Sequence, residues 1–167
     1  MASFFDRRSL LVGALAAVVL VAFLIVTRVR LNRLARREEC LWNLSRIGMT
    51  LQATLPQRLS GWDAVGTGRQ FFLDAPTWPG PTPVPIGPEI FACPVLGKPE
   101  KLRIDYRGPA RTLRQLEPGD PVAADRAGNH GAGEGGSVVL RDGSWMAAGE
   151  ENPAWVRAAQ TTTDGPK

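Results

Sequence analysis

From Ser9 to Thr27 the chain runs for nineteen residues without a charge, between Arg8 and Arg28. At 1.5 Å per residue a helix of that length covers roughly 28 Å, about the hydrocarbon thickness of a bilayer. Inside a bilayer the backbone must satisfy its own hydrogen bonds, so Leu10–Val26 is predicted to form one membrane-spanning helix, with residues 1–8 as a short segment before it. The pattern then changes. Cys40, Leu44, Ile47, Leu51 and Leu55 recur at steps of four, three, four and four, which places them on one helical face. Arg36, Arg37, Glu39, Asn43 and Arg46 fall largely elsewhere, and Pro56 disfavours helix at the residue before it. One long helix over 9–55 is predicted, apolar all round in its first half and amphipathic in its second.

Residues 56–88 read as an irregular connection pinned to a core by Trp62, Phe71, Phe72 and Trp78, since six prolines between 76 and 88 remove backbone donors. Strand signals follow. Glu89–Cys93 is a short apolar run, and Lys101–Arg107 alternates, with Leu102, Ile104 and Tyr106 on one face and Arg103, Asp105 and Arg107 on the other. Pro121–Ala124 is a weaker candidate. Ser137–Arg141 and Ser144–Ala148, joined by Asp142-Gly143, predict a hairpin with a type I′ turn. Asn152-Pro153 opens a short helix through Gln160, with the asparagine as cap and the proline at the first helical position. Residues 161–167 read as a frayed tail. The expected class is α+β: a transmembrane helix (9–27) continuing into an amphipathic helix packed on a small antiparallel sheet within a domain over 28–160.

The exit from the apolar run tells anchor from signal. A cleaved secretory signal ends in small residues of the Ala-x-Ala type, whereas here Arg28, Arg30, Arg33, Arg36 and Arg37 follow Thr27. An uncleaved anchor is expected. Those five arginines also account for the net charge of +4; without them 15 basic residues face 16 acidic ones. A near-neutral domain argues against nucleic-acid binding, and the cluster suits anionic lipid headgroups. Topology receives opposing signals. Five arginines after the span against two before it place the domain in the cytoplasm by the positive-inside rule. The two cysteines, Cys40 and Cys93, suit either a disulfide in an oxidising compartment or a pair of buried free thiols.

Three constellations bear on chemistry. Residues 131–136 match G-x-G-x-x-G, but a strand rather than a helix follows, which excludes a dinucleotide cradle. Asp125, Asn129 and Asp142 supply oxygens for a calcium site across a glycine-rich loop, and His130 with the two aspartates offers another metal set. The alternative is that Asp125 and Asn129 bond the loop's own amides, Asp142 sits in the turn and His130 braces the loop; this predicts no cofactor. Ser137, Ser144 and His130 lack a nucleophile-elbow pattern, so no enzyme is expected.

The segment Cys40-Leu-Trp-Asn43-Leu44-Ser-Arg-Ile47-Gly48-Met-Thr-Leu51 resembles the "C-x-x-N-L-x-x-I-G-x-A-L" stretch after the membrane helix of planctomycete-type pseudopilins, the DUF1559-like group. In the same order, Phe91-Ala-Cys93-Pro94 resembles "F-x-C-P" and Tyr106-Arg107-Gly108-Pro109 resembles "Y-x-G-P". Asp125-Arg126-Ala-Gly128-Asn129-His130-Gly131 resembles "D-R-x-x-N-H-G", and Gly136-Ser-Val138-Val-Leu140-Arg-Asp142-Gly143 resembles "G-x-N-V-L-x-x-D-G-H-V", with Ser144 where the group often has His. The resemblance implies a type IV pilin-like fold, anchored in the inner (cytoplasmic) membrane by one span, with an exported, periplasmic domain. It also implies partners among pilin-like or type II secretion envelope proteins, and a role in assembly. The group's Gly-Phe prepilin cleavage site is absent: Arg7-Arg8-Ser9-Leu10-Leu11 stands there, and no acid lies between Asp6 and Arg28. The competing expectation is a membrane-tethered ligand- or metal-binding module that does not assemble.

Overall fold

The computed structural model describes residues 7–79, 88–97 and 103–164. The chain divides into two compact units, Met1–Ala35 and Arg36–Lys167. In the first unit the described residues belong to helix α1, which runs over Arg7–Arg58. Leu10, Leu11, Val12, Leu15 and the apolar residues that follow to Val26 are more than half exposed. In water such a surface is unfavourable at about 25 cal/mol per Å². The helix is long and apolar enough to cross a membrane.

In the second unit the amphipathic reading of α1 holds. Cys40, Leu44, Ile47 and Leu51 are fully buried, and Leu55 packs partly against them. The helix passes Pro56 and ends at Arg58, three residues beyond the expected stop. A proline lacks only its own donor, so residues after it can still bond backwards for part of a turn. The connection then folds into 3₁₀ turns and a short helix α2 (Arg69–Leu73). Trp62, Phe71, Phe72 and Trp78 enter the core as expected, with Phe71 and Trp78 centroids 4.6 Å apart and the Trp78 indole N–H donating to the Phe71 carbonyl. The expected irregular run at Pro81, Pro83 and Pro85 lies outside the described residues.

Five strands make one antiparallel sheet: β1 (Tyr106–Pro109), β2 (Pro121–Asp125), β3 (Gly136–Leu140), β4 (Trp145–Ala148) and β5 (Thr162–Thr163), in the order β4-β3-β2-β1-β5. The class is α+β, as expected. Helix α3 (Pro153–Thr161) lies against β2 and β3, with the Asn152 side chain capping the Ala154 N–H. One face of the sheet, with Tyr106, Val122 and Val139, packs with Leu44, Ile47 and Leu51 of α1; the other, with Ala124 and Val138, packs with Ala158 of α3. Covering both faces buries all five residues of β2, which is why that strand shows no alternation. A register shift between Pro121 and Ala123 leaves Val122 and Ala123 in the same core cluster.

Four expectations are corrected. Pro88–Phe91 is a 3₁₀ turn, not a strand, because Pro88 opens it. Of the expected strand over 101–107, residues 103–107 are described; among them pairing begins at Tyr106, and Asp105 is buried rather than outward. Thr162 and Thr163 are not tail: they pair with Pro109 and Gly108, and Thr162 is buried. The hairpin has a three-residue loop. Gly143 (φ 84°) is its positive-φ residue, and Asp142 stays at negative φ, so the turn is not type I′. The Gly143 N–H donates to Leu140 O and the Leu140 N–H to Ser144 O, as in a type I turn closed by a glycine bulge.

That turn abuts α1. A Cβ on Gly48 would meet the Gly143 carbonyl and stand 2.9 Å from the Trp145 ring. Backbone on one side leaves little room to yield. Gly48→Val is expected to destabilise the unit by about 1–3 kcal/mol, read as a lower melting temperature with unchanged helix content; an unshifted melt would show that α1 and the hairpin turn are not in contact.

Candidate functional site

The sheet and α1 bring together four chemically capable side chains from distant parts of the sequence. Cys40 comes from the buried face of α1, and Cys93 lies between two 3₁₀ turns, Pro88–Phe91 and Pro94–Leu96, as the N-cap of the second. Asp125 closes β2, and His130 lies in the glycine-rich loop that follows. One donor atom from each lies within 4.8 Å of the others. The two Sγ atoms are 2.9 Å apart. His130 Nε2 and Asp125 Oδ2 are also 2.9 Å apart. Side-chain exposure is 3% for His130 and nil for Asp125, so both are buried.

A surrounding frame holds them in place. Asp105 Oδ2 accepts the Cys93 N–H (2.8 Å) and the Arg103 Nε–H (2.6 Å), and Asn129 Nδ2 donates to the Asp105 carbonyl (2.9 Å). The Ser137 N–H donates to Asp125 Oδ2 (2.7 Å), so that oxygen receives two bonds. The Tyr106 hydroxyl donates to Cys40 Sγ at 3.6 Å, and Arg37 donates to the His130 carbonyl. Asp125 Oδ1 and His130 Nδ1 are buried with no partner.

The electrostatics follow from contact and burial. Donation to Cys93, and then burial, push the Cys40 thiol up, while accepting that bond holds Cys93 down. Burial raises the Tyr106 hydroxyl. For His130, burial favours the neutral ring, but the hydrogen bond and charge of Asp125 outweigh it and raise the imidazole above its ordinary value.

The calcium set does not assemble. Asp142 is exposed in the β3–β4 turn, where its Oδ1 accepts the Ser144 N–H and hydroxyl. Antiparallel register explains the separation: Pro121 faces Leu140 next to that turn, whereas Asp125 lies at the other end of β2. Four residues at about 3.3 Å each put roughly 13 Å along the strand between the two ends. Asn129 spends its amide donor on Asp105. His130 ties its loop to Asp125 at the end of β2 by a buried bond. Asp105 was missed by sequence reasoning because its alternation placed it outward. Its neighbours in the Asp105–Pro109 segment were the only signal. Asp105→Ala leaves the Cys93 N–H without its acceptor and takes one bond from Arg103, and a loss of about 1–3 kcal/mol is expected in denaturant melts; a loss near zero would show that water replaces the carboxylate.

An apolar N-terminal helix whose continuation packs on a small antiparallel sheet is a pilin-like architecture. No protein family, curated protein or solved structure matches the chain.

Proposed function

We propose that this chain is a membrane-anchored, pseudopilin-like envelope protein that works through protein–protein contacts rather than catalysis, with the unit over 36–167 exported. The carrying observation is that one helix supplies both the apolar span and the element on which the sheet packs. The ordered motifs from Cys40 to Gly143 support the pseudopilin reading, as does the meeting of Cys40 with Cys93, which two of those motifs contribute. Absence of both a Gly-Phe and an Ala-x-Ala site supports a permanent anchor.

The test is the mature N-terminus together with site-specific cross-linking from the exported unit in whole cells. An intact first segment and cross-links to other pilin-like or secretion-system envelope proteins are the expected result. A mature protein beginning between residues 8 and 30 overturns the anchor, and a domain protected from external reagents overturns the export. The second reading, a tethered metal- or ligand-binding module, is favoured by one observation: the buried cluster with two unpartnered polar atoms.

A further inference from the structure

We propose that in the reduced chain Cys40, Cys93, Asp125 and His130 form a binding site for one thiophilic divalent cation of the zinc class. This deepens the tethered-module reading of the cluster and stands apart from whether the protein assembles.

The donor chemistry selects the ion. Two thiolates, an imidazole and a carboxylate suit a borderline-soft cation, and calcium, which takes six to eight oxygens, finds one side chain of the right kind here. The size fits as well. A tetrahedral ion with bonds of 2.0–2.3 Å spaces its ligand atoms by about 3.3–3.8 Å, and the four donors already lie within 4.8 Å of one another. The sulfurs at 2.9 Å must part by about 1 Å to admit it. Binding releases the two thiol protons to solvent; the two thiolates neutralise the divalent ion, and the Asp125 carboxylate leaves the site with one net negative charge.

Two buried atoms support the assignment. Asp125 Oδ1 and His130 Nδ1 have no partner, and an orphaned buried polar group costs about 1–3 kcal/mol. Ser137 and Asp105 hold Asp125 and Cys93 by backbone N–H bonds, as outer partners commonly hold metal ligands. A route exists: a cavity of about 260 Å³ lined in part by Arg37, His130, Glu134 and Ser137 opens beside the imidazole.

The test uses the full chain in detergent, reduced with a phosphine, stripped with a chelator and then titrated with Zn²⁺ or Co²⁺. One zinc per chain should survive desalting, both cysteines should become protected from alkylation, and the cobalt form should show sulfur-to-metal charge-transfer absorption. Asp125→Asn, nearly isosteric, should weaken zinc at least about 10-fold, Cys93→Ser should weaken the cobalt band, and loss of both cysteines should abolish it. Millimolar calcium should change none of these. Alkylation of both thiols at an unchanged rate in stoichiometric zinc overturns the proposal, as does bound zinc with no sulfur band in the cobalt form. Both of those readouts use the unmutated protein and do not depend on variants that fold. Neither bears on membrane partition or cross-linking, so this inference and the assembly reading fail separately.

Discussion

Deleting residues 9–27 is expected to move the protein from the membrane to the soluble fraction, the largest single effect available in this chain. The apolar residues from Leu10 to Val26 are exposed on α1, and none of them belongs to the core of the unit over 36–167. That unit therefore keeps its packing without them, and the variant should melt cooperatively. A milder version makes the same point: each arginine placed at the centre of the run, as in Val18→Arg or Leu20→Arg, costs about 2.5–3.5 kcal/mol of insertion free energy on the translocon scale. Two together should lower membrane integration measurably. Wild-type protein that leaves the membrane on alkaline washing would overturn the anchor, whatever the deletion does.

Oxidising Cys40 and Cys93 is expected to raise stability nearly as strongly. The thiols are free in the structure, buried and 2.9 Å apart. Bond formation transfers two electrons and two protons to an incoming disulfide, which leaves as two thiols. Cross-linking residues 53 apart in sequence restricts the unfolded chain by about 4 kcal/mol on the loop-entropy model, less any native strain. For a unit of this size that is on the order of 10–20 °C in melting temperature. Non-reducing mass spectrometry and paired melts check it. Two freely alkylated thiols in protein taken from an oxidising compartment, or equal melts with and without reductant, would rule it out. The bond and the zinc-class ion need the same two sulfurs, so oxidation should also expel the ion. The redox poise of the compartment then decides which of them holds α1 to the segment around Cys93.

The elements that the residues announced by themselves are those with a strong local period or a strong cap. The apolar run, the face from Cys40 to Leu51, the hairpin strands and the Asn152-Pro153 helix start all follow from neighbours within a few positions. Where two structural layers meet, local pattern fails. Strand β2 is buried on both faces and does not alternate, Asp105 breaks alternation because it bonds Cys93 and Arg103, and Thr162–Thr163 become a strand only because β1 offers an edge. The site shows the same division. Asp125, His130 and the cysteines were visible as capable residues, but sequence proximity grouped Asp125 with Asp142 rather than with the cysteines.

The reason is geometric. Helix period and strand alternation are properties of contiguous residues, and they announce the long N-terminal helix and the α+β class. Which residues share an interior is set by antiparallel register, by the bulge near Val122, and by the way α1 brings Cys40 to Cys93 across 53 positions. Register sends Asp142 to one end of the sheet and leaves Asp125 at the other, beside an imidazole and two thiols. That placement belongs to the tertiary structure alone.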